Sequence, residues 1–319
     1  MIMAPSSEHA EVFRHFKVKS SDIPDSSCYP YAPVFQTVVD GTPAAVKRTR
    51  GPLPYAEGIA QWLRELSLLG IRTVQPLPCL GNPAALGEHV WVAYPWIDGI
   101  PYNASPAHFS GAGDLLGRIH AAPVTGAGMF RFQWPQADQA STDEDIAGLT
   151  GVLAKYAPDL TNSALPRLTA WLNAFRSDTL VSIRSANLPT APVSMDFRAN
   201  NLVYDAENTP TLIDPDNAEV AVRLLDLALA VLLFHNEAAG GPPRLFDAAE
   251  WATFRDAYTA HVQLTPEERT AWPTALRYML LEWGVWSLIA AEEWNDWEDP
   301  HQRAFLRNLA ETEPNSFPL

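Results

Sequence analysis

The chain predicts an α+β protein of two lobes: a small N-terminal β-sheet lobe with one helix over residues 1–99, ending in a connector, and a larger, mostly helical lobe over residues 100–319. Three observations carry this. A strand–turn–strand pattern fills residues 33–50. An apolar stripe at helical spacing follows over 55–69. After Gly99 the periodic segments are almost all of the helical kind. The length of 319 residues accommodates two such lobes, and no internal repeat or low-complexity tract argues for another organisation.

In the first lobe, Val34, Phe35, Val38 and Val39 lead into Asp40-Gly41, and Ala44, Ala45 and Val46 lead out. Asp-Gly favours the positive backbone angles that a tight hairpin turn demands. Gly51-Pro52-Leu53-Pro54 breaks the strand. Ile59, Trp62, Leu63, Leu66 and Leu69 then fall on one face of a helix running from about Tyr55 to Leu69, which Gly70 ends. Residues 71–80 and 88–97 read as further strands, and Asp98-Gly99 turns the chain out of the sheet. In the second lobe, residues 110–121, 163–176, 224–235, 248–263, 267–292 and 300–310 read as helices, with Pro266 and Pro300 near two of the starts. The only strands expected there are a short pair around 202–204 and 211–213.

Composition narrows the functional classes. Hydrophobic residues make up 47% of the chain, enough for a sizeable core. A net charge of −15 repels nucleic acid and anionic membrane surfaces and suits a cationic partner. The two cysteines, Cys28 and Cys79, supply neither a disulfide framework nor metal-ligand spacing. The first residues lack a basic stretch followed by an apolar one, and the longest apolar run, Leu224 to Phe234, is interrupted by Asp226 and too short to span a bilayer. A cytoplasmic protein is expected.

The chemistry concentrates between Val193 and His235. Asp196 and Asn201 bracket a loop. A strand, a turn and a second strand follow, ending in Ile213-Asp214-Pro215-Asp216. One carboxylate can accept a proton from a hydroxyl. The amide oxygen, and a second carboxylate returned beside it by the hairpin, can hold Mg²⁺ against a nucleoside triphosphate. Asp-x-x-x-x-Asn alone is a weak signal, since these residue types also form turns. The apolar strand, the turn and the Ile-Asp ending strengthen it.

These segments resemble the aminoglycoside phosphotransferase and choline kinase-like superfamily, relatives of the protein kinases. The superfamily usually reads His-Gly-Asp-x-x-x-x-Asn, Ile-Asp-x-Gly/Asp and Asp-Leu-Ala. Here the segments are Ser194-Met195-Asp196-Phe197-Arg198-Ala199-Asn200-Asn201, Ile213-Asp214-Pro215-Asp216 and Asp226-Leu227-Ala228. The resemblance covers most of the chain. It implies a bilobal protein kinase-like fold and phosphorylation of a small-molecule hydroxyl with ATP or GTP and Mg²⁺. By it, Asp196 is the catalytic base, Asn201 and Asp214 are metal ligands, Asp226 braces the catalytic loop, and Arg198 stands where a His or Arg meets phosphate. Ser194-Met195 departs from the usual His-Gly, whose His supports the metal-binding segment.

Lysine is scarce, confined to Lys17, Lys19, Lys47 and Lys155, so Lys47 at the end of an apolar strand stands out. The resemblance makes it the phosphate-holding lysine; the plainer alternative is an edge-strand lysine. Its glutamate partner is then Glu57 or Glu65, with chain position favouring Glu57. No Gly-x-Gly-x-x-Gly precedes it, and Ser26-Ser27-Cys28-Tyr29, with the Ser27 hydroxyl, is the candidate phosphate cover. In the connector, Pro95 keeps the carbonyl that an adenine amine needs, Ile97 supplies an N–H two residues on, and Tyr94 sits behind the base. His120 resembles a structural His ending the first large-lobe helix.

Tryptophan and acid accumulate toward the C-terminus, from Glu282 and Trp283 to Asp299. Aromatic faces with carboxylates suit an ammonium-bearing acceptor such as an amino alcohol or aminoglycoside. Asp216, Glu237, Trp286 and Glu292 are the candidate acceptor contacts. Two other readings stay open: a nucleotide-binding or inactive pseudokinase serving as an interaction module, and a metal-dependent phosphohydrolase using Asp196 and Asp214.

Overall fold

Asp40 and Gly41 adopt φ of 48° and 81° and close a hairpin between β1 (Val34–Val39) and β2 (Thr42–Thr49). The computed structural model describes residues 7–29, 32–136 and 138–319, the side chains of residues 7 and 8 excepted. The first six residues, part of the segment read for a leader, lie outside the described residues. With β3 (Ala84–Leu86) and β4 (His89–Pro95) the hairpin forms an antiparallel sheet of order β1-β2-β4-β3. Residues opposite one another share a face, and faces alternate along each strand. Phe35, Ala44, Val46, Trp91 and Ala93 therefore turn outward, where α1 (Ser7–His15) covers them with Val12 and Phe13. Ala45, Lys47, Val92 and Tyr94 take the other face, and Val92 and Tyr94 join the main core.

On that side lies α2 (Leu53–Leu68), whose Tyr55, Ile59, Trp62, Leu63 and Leu66 are buried with Val92 and Tyr94. The helix α1 was not anticipated, because one short apolar patch carries no stripe. Residues 71–80, expected as a strand, run as an extended connection. Pro76 and Pro78 have no N–H to give a ladder, and the segment makes only isolated bonds, such as Val74 N–H to Leu212 O at 2.8 Å and Leu77 N–H to Ala93 O at 2.8 Å.

The rest of the chain is mainly helical. It contains α3 (Pro106–Ala121), α4 (Gln139–Tyr156), α5 (Ala164–Ala174), α6 (Leu180–Ser185), α7 (Arg223–Leu233), α8 (Ala248–Thr259), α9 (Pro266–Met279), α10 (Val285–Ala290) and α11 (Pro300–Glu311). Between the helices run β5 (Ile100–Pro101), β6 (Thr190–Val193), β7 (Leu202–Tyr204), β8 (Pro210–Leu212) and β9 (Glu219–Val222). They form a sheet of order β5-β7-β8 and a separate β6-β9 pair. The β6-β9 pair was not expected: each strand has four residues, too few to show alternation. The helix α4 went unread because it buries only Thr142, Leu149, Val152 and Leu153; it opens on a capping box between Asp138 and Ser141. The single long helix expected over 267–292 is divided by a π-helical turn, Leu280–Gly284, between α9 and α10. No helix among the described residues is long and apolar enough to cross a membrane.

One buried side chain fixes the loop after β6. Asp226, in the first turn of α7 and 0% exposed, accepts hydrogen bonds from the backbone N–H of Ser194 at 3.1 Å and of Met195 at 2.7 Å. Its Oδ2 also lies 2.9 Å from His120 Nε2, and His120 Nδ1 lies 3.0 Å from the Tyr258 hydroxyl. Met195 adopts φ of 51°, a left-handed conformation that glycine takes without strain. Here a buried methionine is held in it by the Asp226 contact. Asp226→Ala leaves two buried N–H groups and a buried imidazole without their acceptor. The expected loss is about 3–5 kcal/mol of unfolding free energy, read by urea denaturation.

Candidate active site

The sheet register aims Lys47 into the cleft between β2 and the loop after β8. The side chain is buried, and its Nζ lies 2.7 Å from Asp214 Oδ1 and 2.9 Å from Asp216 Oδ2. Burial alone would lower the pKa of the ammonium. The Asp216 and Asp214 carboxylates more than reverse that, and the group is raised.

Two expectations are corrected here. Glu57 is exposed and makes no ion pair with Lys47; Glu65 accepts instead from Gln61 Nε2 at 2.9 Å on the same helix. The α2 side chain that reaches the segment after β8 is Tyr55. Its hydroxyl donates to Ala218 O at 2.7 Å and lies 3.2 Å from Asp216 O, and its ring stacks on Phe130 at 3.9 Å. Asp216, expected at the acceptor, is instead withdrawn beneath Lys47. Tyr55 sits four residues before Ile59 on the same stripe, a position from which its hydroxyl was legible as a polar end on an apolar face.

Lys47, Tyr94, Pro95, Ile97, Asn201 and Asp214 line one cavity of about 240 Å³ together with Cys28 and Tyr29. Trp96 N–H donates to Pro43 O at 2.8 Å. In an antiparallel ladder hydrogen-bonded and non-bonded pairs alternate, so Pro95, opposite Ala44, is a non-bonded position whose carbonyl points away from β2. A proline loses no ladder bond there. Ser27 does not line the cavity. Its hydroxyl is occupied within its own loop, lying 2.8 Å from Tyr29 O and 3.0 Å from Ala32 O and accepting from Val34 N–H at 3.0 Å, which corrects its expected place on phosphate.

Asp196 follows the braced loop. Arg198 Nε lies 2.6 Å from Asp196 Oδ1, and Arg198 also reaches Glu237 Oε1 at 3.0 Å. Asn217, which sequence reasoning missed, donates from Nδ2 to Asp196 Oδ2 at 3.0 Å and itself accepts from Arg50. It follows Asp214-Pro215-Asp216, where a turn asparagine gives no separate signal. Burial is the largest influence on Asp196 and raises its pKa; Arg198 opposes this and Asp214 adds to it.

Asn201 Nδ2 donates to the carbonyl of Asp196 at 2.9 Å, leaving its Oδ1 without a protein partner among the described residues. Asp214 remains 34% exposed at the cavity wall. An amide oxygen and a carboxylate facing a shared cavity are hard donors that fit Mg²⁺ completed by phosphate oxygens. No group of three or more His, Cys, Asp or Glu suited to a metal occurs among the described residues.

A second cavity, of about 750 Å³, opens on the other side of Asp196 and Arg198. Tyr29, Glu237, Glu282, Trp283, Trp286 and Trp294 are among its walls. Trp286 is 58% exposed there and edge-on to Trp283 with ring centres 6.0 Å apart. Glu237 is there too, but committed to Arg198 and, through the Tyr29 hydroxyl at 3.4 Å, to the loop before β1. Glu292 is not. It lies exposed on the surface, 2.7 Å from Lys155 Nζ, which corrects its expected contact with the acceptor. Glu282, in the π-helical turn, has no hydrogen bond or ion pair among the described residues. Burial, with a smaller push from Asp145, raises its pKa to about 7.

A buried strand lysine in the small lobe meets carboxylates of the large lobe, beside an open connector carbonyl and a loop carboxylate. These define a protein kinase-like cleft. The sequence model described as "Phosphotransferase enzyme family" matches residues 32–275, and the chain belongs to that family. Homoserine kinase of Pseudomonas aeruginosa (strain UCBPP-PA14) is 26% identical over 241 residues, 76% of this chain and 66% of that protein, so the chain spans just under two thirds of that relative's length. The microcompartment-associated aminopropanol kinase superposes with a TM-score of 0.64 at 16% identity, covering 94% of this chain and 98% of that one. The aminoglycoside phosphotransferase from Alicyclobacillus acidocaldarius subsp. acidocaldarius DSM 446 gives 0.59 at 17% identity, covering 96% of each. The two structures show the shared fold.

An unpaired, partly buried carboxylate costs stability when ionised. With the folded pKa of Glu282 raised to about 7, stability falls as pH climbs from the unfolded value toward 7 and then levels off. Glu282→Gln removes that loss. The variant is expected to be more stable than wild type by about 1–3 kcal/mol at pH 8 and little changed at pH 4, measured by urea unfolding at both.

Proposed function

We propose that the protein is a small-molecule kinase that transfers the γ-phosphoryl group of ATP or GTP to a hydroxyl of a cationic acceptor, an amino alcohol or aminoglycoside. The observation that carries this reading is the convergence of Lys47, Asp214, Asn201 and Asp196 between two cavities of different character. The first has the open Pro95 carbonyl and Lys47 for a nucleotide; the second has tryptophans and the unpaired Glu282 for an ammonium group. The relatives named above support the acceptor class, since homoserine, aminopropanol and aminoglycosides each combine an amine with a hydroxyl. A nucleotide-dependent reaction also supports a cytoplasmic setting.

In this reading the adenine or guanine lies against Tyr94, with its edge at Pro95 and Ile97, and Lys47 holds the phosphates. Mg²⁺, held by Asp214 and Asn201 together with phosphate oxygens, supplies neutralisation of phosphate charge. Asp196 accepts the proton of the acceptor hydroxyl as its oxygen attacks the γ-phosphorus. The bond from that phosphorus to the bridging oxygen breaks, and the nucleoside diphosphate leaves with the electron pair. Arg198 and Asn217 hold the two oxygens of Asp196 so that the carboxylate faces the acceptor cavity ready-oriented. Glu282, with Trp283 and Trp286, binds the ammonium end of the acceptor.

Screening amino alcohols, aminoglycosides and sugars for acceptor-dependent release of nucleoside diphosphate tests the activity. Binding of Mg-nucleotide without turnover on any acceptor would favour the inactive module instead. With an acceptor in hand, Asp196→Ala is expected to lower kcat by about a thousandfold or more while nucleotide affinity holds, and Asp214→Ala to weaken Mg-nucleotide binding. Unchanged kinetics in Asp196→Ala refutes its assignment as base. The acceptor KM carries a pH signature as well. Glu282 binds a cation only when ionised, so KM rises by about tenfold per pH unit below about 7 in the wild type and stays flat in Glu282→Gln.

A further inference from the structure

We infer that Asp216 is the positioning residue for Lys47, a task that the protein kinase fold ordinarily gives to a glutamate on the small-lobe helix. The inference rests on the proposed nucleotide site and adds to it a different origin for the lysine's anchor. Among the described residues Lys47 has two carboxylate partners, Asp214 and Asp216, and neither is on α2.

The helix is not merely turned away; it is fixed that way. Gly58 packs backbone to backbone against Gly128, so closely that a Cβ at Gly58 would lie 2.4 Å from Gly128 C. One turn away, Tyr55 stacks on Phe130 and bonds the carbonyls of residues 216 and 218. Rotating α2 to bring Glu57 inward would drive a side chain into the space Gly58 leaves free and break the Tyr55 contacts. The lysine's anchor therefore comes from the large-lobe loop.

The two carboxylates divide the work by exposure. Asp214 is 34% exposed, faces the nucleotide cavity and is the metal ligand of the proposed reaction; Asp216 is 13% exposed and lies behind it. Were Asp214 to serve as the metal ligand, Asp216 would be the carboxylate left to hold the ammonium in place. A buried ammonium with no anion beside it would be strongly unfavourable. Tyr55 fixes the backbone of Asp216 from the other side, so the lysine, the loop and the helix form one chain of contacts in which the helix contributes a phenol rather than a carboxylate.

The test is Mg-ADP binding by isothermal titration to the full-length chain and its variants. Asp216→Asn is expected to weaken Mg-ADP by about tenfold or more, while Glu57→Gln and Glu65→Gln stay within about twofold of wild type. A merely structural role is separated by the double-mutant cycle: in a Lys47→Met background, Asp216→Asn is expected to add no further loss. Should Asp216→Asn alone fail to fold, the double variant, from which both buried charges are gone, carries the comparison against Lys47→Met. Wild-type affinity in Asp216→Asn, an equal loss in either glutamate variant, or a full further loss in the Lys47→Met background overturns the inference. Failure of the wild type to bind Mg-ADP or Mg-GDP overturns the nucleotide reading itself, and is told apart because it appears before any substitution is made.

Discussion

A lysine ammonium withdrawn from water needs an anion, and among the described residues the two carboxylates beside Lys47 belong to the other lobe. That single requirement ties the small-lobe sheet to the loop after β8. It also explains why the sheet register matters so much. Slipping β2 by one residue would send Lys47 to the face covered by α1, among Phe35, Val46 and Trp91 and away from Asp214 and Asp216. The Asp-Gly hairpin turn, the alternation along β2 and the ladder to β4 together deliver one charged group to one spot.

The other half of the cleft is held by a different device. Asp226 is buried in α7 and spends its acceptors on two backbone N–H groups and a histidine, so that the loop carrying Asp196 is fixed before any substrate arrives. The Asp196 carboxylate is then clamped from two sides, by Arg198 two residues along and by Asn217 from the loop that also anchors Lys47. Residues 214–217 thus reach three parts of the cleft: Asp214 the cavity wall, Asp216 the lysine and Asn217 the Asp196 carboxylate. The second cavity is walled differently, by the π-helical turn and by Trp286 and Trp294 at the surface.

Much of this was legible in the sequence, for physical reasons that differ residue by residue. Asp196, Asn201 and Asp214 stood out because a loop, a short hairpin and a strand-end carboxylate bring them together at a fixed spacing. Lys47 stood out because lysine is rare and its strand is apolar. Glu57 misled because it was favoured on its place at the helix start, which does not show the neighbour the helix packs on; the Gly58–Gly128 contact, made with a loop some seventy residues on, holds α2 with Glu57 exposed. Ser27 misled because a hydroxyl just before the strand pair carrying Lys47 looks available until its own loop is folded around it. Asp216 and Glu292 were taken as acceptor contacts on composition and place in the chain, whereas a buried lysine claims the first and a surface lysine the second. Glu282 was visible only as one acid among many; its distinction is the absence of a partner, which no linear pattern reveals.

The backbone contact between Gly58 and Gly128 has a mechanical consequence. With no side chain between them there is nothing to compress, so α2 is pinned at Gly58 to the loop at Gly128, while Ile59 and Trp62 of the same helix share a core with Val92 of the sheet.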